Sequence, residues 1–334
     1  MPKVEASYYE KVSPDRVKCC LCPQNCLIRP GQSGICRVRI NEEGKLYTLN
    51  YGEIASLALD PIEKKPLYHF YPGSQILSAG TWGCNLACSF CQNYSLAQQK
   101  APTKVIMPEA LVDIALQAAA DGSIGIAFTY NEPSIWFEYI LETAQKMKAQ
   151  GLKTVLVTNG YIKQEPLCEL LPFIDAANVD VKAFTEVFYQ RNCKGRLKEV
   201  KENVEYMAGK IHVEITNLII PEENDSPEEI EAMAAWLASI NPDIPLHLSR
   251  YYPAYKMQRD PTQGSTMLQA QRICQKHLHF VYLGNLPGIN NHTPCLQCGE
   301  VLVSRNAYNV NIAGIKDGKC SHCRAEINHI TGCP

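Results

Sequence analysis

The stretch GTWGCNLACSFCQNYSLAQQ, residues 80–99, sets Cys84, Cys88 and Cys91 close together in CxxxCxxC spacing and offers no fourth thiol nearby. Zinc sites that hold a protein together are closed by four protein ligands, so three local thiolates make a poor zinc site unless a distant fourth arrives. A [4Fe–4S] cube bound by three cysteines instead leaves one iron without a protein ligand. That iron is free to take the amino and carboxylate groups of a small molecule. The run follows QILSAG (75–80), which reads as a short strand, so the thiols sit where a strand ends and a loop begins.

Downstream of that strand the chain alternates. PEALVDIALQAAADG (108–122) is predicted helical: Pro108 suits the first turn, Leu111, Ile114, Ala115 and Ala118 share a face, and Gly122 ends it. SIGIAFT (123–129) reads as a buried strand and 134–151 as the next helix. Further strands are expected at 154–160, 177–183, 212–220, 245–251 and 279–285, separated by helices at 163–171, 185–207, 226–240 and 265–277. Ser226-Pro227-Glu228-Glu229 carries an N-cap serine, a proline at the first helical position and a glutamate at the third. Such alternation implies parallel pairing with right-handed crossovers. The expected fold is α/β, a partial (β/α) barrel resembling a TIM barrel, with about six or seven strands over 75–287. Small cysteine-rich modules flank it at 1–74 and 288–334. In such barrels chemistry gathers beyond the carboxyl ends of the strands. Those positions hold the cysteine loop, TYNEP, TNGY, Asp180 with Lys182, and YYPAY.

The composition is that of a globular chain with ample core: 46% hydrophobic, 20% charged, net charge −2. No apolar run approaches the ~18 residues of a membrane helix, and MPKVEASYYEKV lacks the succession of a secretory signal. A cytoplasmic location is therefore expected. The near-neutral balance lacks the clustered basic footprint of a nucleic-acid binder. Neither nucleic acid nor membrane is an expected partner. Sixteen cysteines are the anomaly, and in a reducing compartment their grouping points to metal. Cys168, Cys193 and Cys274 stand apart as ordinary packing residues, and Cys333 is not expected to be a ligand.

With Phe90 just before its last cysteine, the CxxxCxxC run resembles the signature of the radical S-adenosylmethionine (SAM) superfamily. CLCPQNCLIRPGQSGICRVR, TYNEPSIWFEYI, VTNGY, NVDVKAF, LIIPEENDS, HLSRYYPAYKM and the terminal CLQCG…CSHC pairs narrow this. Together they resemble the radical SAM member of the AmmeMemoRadiSam system, a relative of pyruvate formate-lyase activating enzymes. The resemblance implies a [4Fe–4S] cluster on Cys84, Cys88 and Cys91. It also implies reductive cleavage of SAM to methionine and a 5′-deoxyadenosyl radical that abstracts hydrogen from a substrate. Phe90 matches a residue near the adenine, and Glu132 an acceptor for the methionine ammonium. Thr158 and Asn159 match a segment near the methionine or ribose. Asp180 and Lys182 match a D-x-K pair whose lysine meets the carboxylate. Tyr255 stands where activases place a histidine. Tyr130 and Asn131 replace the usual glycines, and Asn131 can still adopt a left-handed backbone. Each has a plainer reading: Glu132 as a helix opener, TNG as a turn, Asp180–Lys182 as a structural ion pair. His247 is as readily a packing residue as a site residue.

Cys295-x2-Cys298 and Cys320-x2-Cys323 enclose 21 residues. Two such knuckles supply four thiolates in tetrahedral geometry, and zinc is the expected occupant, with a second iron–sulfur cluster the alternative. Cys19, Cys22, Cys26 and Cys36 give another four, with Cys20 spare. A second zinc staple is the first expectation there, with an auxiliary cluster that relays electrons as the alternative. The expected substrate is a protein or peptide, and the expected electron donor is one such as flavodoxin or ferredoxin. The rivals are a small-molecule substrate and a non-catalytic, metal-stapled interaction scaffold.

Overall fold

Eight strands form the central sheet, in the order Val281–Gly284, Leu246–Arg250, His212–Ile219, Ala176–Asp180, Lys153–Thr158, Ser123–Phe128, Gln75–Gly80, Ser56–Pro61. This computed structural model describes residues 3–332. Seven of the strands pair in parallel and in chain order, each joined to the next by a crossover. The two edge strands do not pair with each other, so the barrel is open on one side. All seven expected strands are present, shorter by up to three residues at an end where the loop begins.

The eighth strand moves a boundary. Ser56–Pro61 pairs antiparallel with Gln75–Gly80 over six residues. The division drawn at residue 74 therefore cuts through the sheet. Pro61 could not donate inside a sheet, but here it lies on the edge. The short SLALDP run with its proline gave no clear strand signal.

Helices cover the outer face. Gly122 ends the first at φ +81°, and Ser226 Oγ accepts from the Glu229 amide at 3.2 Å at the start of the helix Pro227–Ile240. The helix expected over 185–207 is broken. Glu186–Phe188 runs into a wide π turn at Tyr189–Cys193, Lys194 takes φ +59°, and a new helix starts at Leu197. That break delivers Asn192 and Cys193 to the cysteine loop.

The base of the barrel is plugged by Pro66–Phe70. Glu214, fully buried on an inward-facing position, accepts from the amides of Tyr68 (2.9 Å) and His69 (2.7 Å). It also binds His212 Nε2 at 3.0 Å and His247 Nε2 at 2.6 Å. Four partners saturate the carboxylate. Burial opposes its charge, but the bonds from His212 and His247 hold the carboxyl well below its usual range. His247 thus points into the barrel. Among the described residues, no helix is long and apolar enough to cross a membrane.

Candidate active site

The cysteine loop leaves the strand Gln75–Gly80 and is clamped on every side. A Cβ on Gly80 would meet Thr129 O at 2.7 Å, and one on Gly83, at φ +94°, would meet Cys36 O at 2.6 Å. Both positions need glycine. Asn131 accepts from the Thr81 amide at 3.0 Å and donates to Gly83 O at 3.0 Å. Asn85 donates to Tyr161 O at 2.6 Å. The π turn closes the other flank, with Cys193 O and Asn192 O accepting from the amides of Ala87 (2.8 Å) and Ser89 (2.9 Å). The left-handed residue in TYNEP is Tyr130, at φ +73°, and not Asn131. Asn131 is spent on its side-chain clamp, and Tyr130 is held by its hydroxyl on Asp60 at 2.9 Å.

Cys84, Cys88 and Cys91 face one cleft of about 240 Å³ beyond the carboxyl ends of the strands. Phe90, Glu132, Asn159, Asp180 and Lys182 line it with them, joined by Gln92, Asn93, Asn131, Thr216, Leu218 and Ser249. Four separate strand ends thus deliver residues singled out from the sequence to one place. Gln92, Asn93, Thr216 and Ser249 escaped notice because polar residues at strand ends have no period to betray them.

Glu132 lies at the centre. Its Oε1 accepts from the Ser134 amide at 2.9 Å and Thr158 Oγ1 at 2.7 Å, and its Oε2 from the Asn159 amide at 2.8 Å. It does open the short helix Pro133–Trp136, and it also fixes the TNG segment. Burial raises its pKa, and those bonds pull it back. Three of about four lone-pair sites are used, which leaves one for a ligand. Asn159 Nδ2 donates to Asn85 Oδ1 at 2.9 Å and approaches Cys84 Sγ at 3.7 Å. Thr158 does not line the cleft; it orients Glu132.

Lys182 Nζ and Asp180 Oδ2 pair at 2.7 Å, and both residues line the cleft. The ion pair and the site are one arrangement. Burial works against the Lys182 charge, but Asp180 and Cys88 outweigh it and hold the ammonium firmly protonated. Burial pushes Cys91 up to about 11 and Cys84 well above its ordinary value. Only a bound cation turns all these thiols into thiolates together. The three sulfurs do not form a set within 4.8 Å of one another, unlike the C-terminal quartet. Thiolates placed on separate irons need that wider spacing, so the residues fit a three-cysteine cluster.

Cys193 is fully buried and neighbours Cys88, but it does not line the cleft. Tyr255 also lies outside the cleft lining, at φ +54°, stacked on Tyr94 with ring centroids 5.0 Å apart. Its loop is tied to the cysteine loop through the Lys256 amide on Ser89 O at 2.9 Å.

The cleft opens into a larger chamber of about 810 Å³, sharing Gln92, Thr216, Leu218 and Ser249 with it. His247 lines this chamber, with Lys64, Tyr68, Arg250, Asn291 and Arg305. Its walls come from both edges of the open barrel and from the C-terminal module.

In that module the sulfurs of Cys295, Cys298, Cys320 and Cys323 all lie within 4.8 Å of one another, with 3.7 Å between Cys295 and Cys323 and between Cys298 and Cys320. Four thiolates on one zinc at ~2.3 Å stand about 3.8 Å apart. The quartet is built for a single metal ion. Cys19, Cys22, Cys26 and Cys36 line an enclosed cavity of their own, from which Cys20 is absent. Cys274 is buried, Cys168 is exposed, and Cys333 lies outside the described residues.

The model of the radical SAM superfamily matches residues 80–237. An uncharacterized protein of Methanocaldococcus jannaschii is 37% identical over 335 residues, covering 97% of this chain and 98% of that one. The chain belongs to the radical SAM superfamily. This radical SAM protein is also similar to the pyruvate formate-lyase 1-activating enzyme of Escherichia coli, 20% identical over 60% of this chain and 88% of that one. The structure of a radical SAM methyltransferase from Sphaerobacter thermophilus matches at TM-score 0.50 and 14% identity, over 85% of this chain and 77% of that one, which shows a shared fold. Membership in the superfamily implies a [4Fe–4S] cluster and SAM as its cofactors.

Proposed function

We propose that this radical SAM enzyme cleaves SAM reductively and takes a hydrogen atom from a protein or peptide substrate. The observation that carries the reading is the convergence of Cys84, Cys88 and Cys91 with Glu132, Asn159, Asp180 and Lys182 on one cleft. When bound, the cluster supplies one electron to the sulfonium of SAM, and the resulting 5′-deoxyadenosyl radical is the hydrogen abstractor.

The chain's own residues position and shield. Cys84, Cys88 and Cys91 would hold the cluster, and their loop contributes no fourth thiol. Lys182 offers its charge to the methionine carboxylate, with Asp180 keeping it in place. Glu132 turns its remaining lone pair to the ammonium, and Thr158 keeps that carboxylate aimed. Asn159 steadies Cys84 and the ribose side, while Phe90 packs beside the adenine. Tyr255 acts at one remove, through the loop it anchors. Excluding solvent from this cleft protects the radical from stray hydrogen donors.

The adjoining chamber supports a macromolecular substrate. It is more than three times the volume of the cleft and lies at the open side of the barrel. An extended peptide can reach the cleft from there. A one-electron donor such as flavodoxin or ferredoxin completes the reaction. The test is anaerobic reconstitution with iron and sulfide, followed by dithionite and SAM. The enzyme forms 5′-deoxyadenosine, and deuterium passes into it from the labelled true substrate; a scaffold forms none.

A further inference from the structure

We infer that Cys19, Cys22, Cys26 and Cys36 hold a second, fully cysteine-ligated [4Fe–4S] cluster and not a zinc ion. The four lie on different pieces of the N-terminal segment. Cys19 ends the strand Val17–Cys19, whose partner strand begins after Cys26, and the Cys19 amide donates to Cys26 O at 2.9 Å. Cys22 sits in the intervening turn, closed by the Asn25 amide on Cys22 O at 3.3 Å with Asn25 at φ +48°. Cys36 arrives from the following loop. All four then line one enclosed cavity.

The spacing separates the two metals. Four thiolates that share one zinc must stand about 3.8 Å apart. The C-terminal quartet meets that demand, and among the described residues it is the one set of three or more sulfurs within 4.8 Å of one another. Its sulfurs pair at 3.7 Å, Cys295 with Cys323 and Cys298 with Cys320. The N-terminal four converge on a common cavity yet stay more widely spaced, as Cys84, Cys88 and Cys91 do. Each thiolate of a four-iron cube binds its own corner, and that wider setting is what the cube requires.

A second observation concerns the wall. Arg39 is 1% exposed and lines the cavity. Its terminal nitrogens are used, on Ser7 O at 2.7 Å and on Glu138 Oε1 at 2.5 Å, but its Nε is buried without a partner. A buried N–H of this kind is costly unless it meets an acceptor. Metal-bound thiolates would supply such acceptors, and a cluster's inorganic sulfides would add more. The walls are otherwise apolar, from Leu21, Ile28 and Ile135. Asn85, from the first cysteine loop, closes the cavity, so one residue separates this site from Cys84.

This inference stands apart from the SAM reading, and so does its test. The full chain carrying Cys84→Ala, Cys88→Ala and Cys91→Ala is reconstituted anaerobically and assayed for iron, sulfide and zinc. About four irons and four sulfides per chain remain, and adding Cys22→Ser with Cys36→Ser removes them. A triple variant that carries no iron and two zinc ions per chain overturns the inference. Wild-type protein gives an independent reading without any substitution. About eight irons per chain supports a second cube, whereas about four irons with two zinc ions contradicts it.

Discussion

At the residue scale, the account turns on which side chains touch the cluster and which stand behind it. Cys88→Ala is expected to abolish 5′-deoxyadenosine formation while the C-terminal module keeps its metal; metal analysis beside the cleavage assay checks both. Cys193→Ala is the sharper control, because Cys193 neighbours Cys88 yet lies outside the cleft lining. Iron content and cleavage should survive it within a few-fold. Loss of the cluster would make Cys193 a ligand. Lys182→Met should leave the cluster's spectrum in place and raise the SAM concentration needed for half-maximal cleavage at least ~10-fold, about 1.4 kcal/mol of binding. The convergence of Cys84, Cys88 and Cys91 on one cleft was legible in the sequence because their spacing is local. The work of Asn131 was not, since a side chain that clamps a loop 50 residues away leaves no local pattern. Asn131 has the higher intrinsic preference for the left-handed conformation, yet Tyr130 takes it, with its hydroxyl held on Asp60.

At the scale of elements, the strands were legible because a buried parallel sheet writes itself as apolar runs between helical periods. SIGIAF, KTVLVT and AANVD all do so. The edge strand Ser56–Pro61 escaped because it is half-exposed, antiparallel and ends in proline. The π turn at Tyr189–Cys193 escaped because it differs from a helix by hydrogen bonding and not by periodicity. Its consequence is functional, since it carries Asn192 and Cys193 onto the cysteine loop. The plug at Pro66–Phe70 rests on Glu214, and a prediction belongs here. Glu214→Gln leaves partners at the barrel base without a charged acceptor and should cost about 3 kcal/mol of stability. Urea denaturation at neutral pH measures it. The Glu214 carboxyl is held below its unfolded-state value, so its contribution is complete above that value and is lost as pH falls through the folded one. The acid limb of the wild-type stability curve should therefore flatten in the variant. An unchanged limb would show that the carboxylate is not the ionised hub described here.

At the scale of the whole molecule, three thiol sets divide the labour. The C-terminal module has a small core, Leu302, Val303, Ile315, Ile327 and Ile330 with two of its cysteines, which is too little to fold unaided. A metal held by its four cysteines would be the staple, and its docking runs through Arg305, which donates to Tyr68 O at 2.5 Å. Removing that metal with a chelator, or Cys298→Ser, should sharply speed hydrogen exchange over residues 293–330 and leave iron content unchanged. Concerted loss of iron would show that the sites are not separate. Because Arg305 and Tyr308 also wall the chamber, the same treatment should weaken use of a large substrate more than SAM cleavage without one. The substrate's identity is not written in the sequence, because a chamber assembled from three distant segments has no linear signature.

The central claim is that the chain leaves one iron of the Cys84–Cys88–Cys91 cluster for SAM. Electron–nuclear double resonance on the reduced, anaerobic protein tests it most directly, using SAM labelled with ¹⁵N at the amino group and ¹⁷O at the carboxylate. Hyperfine coupling from both labels onto the cluster is the predicted result, lost in Cys88→Ala. A cluster that shows no coupling to either label at saturating SAM, with a fourth protein ligand in their place, would contradict the account.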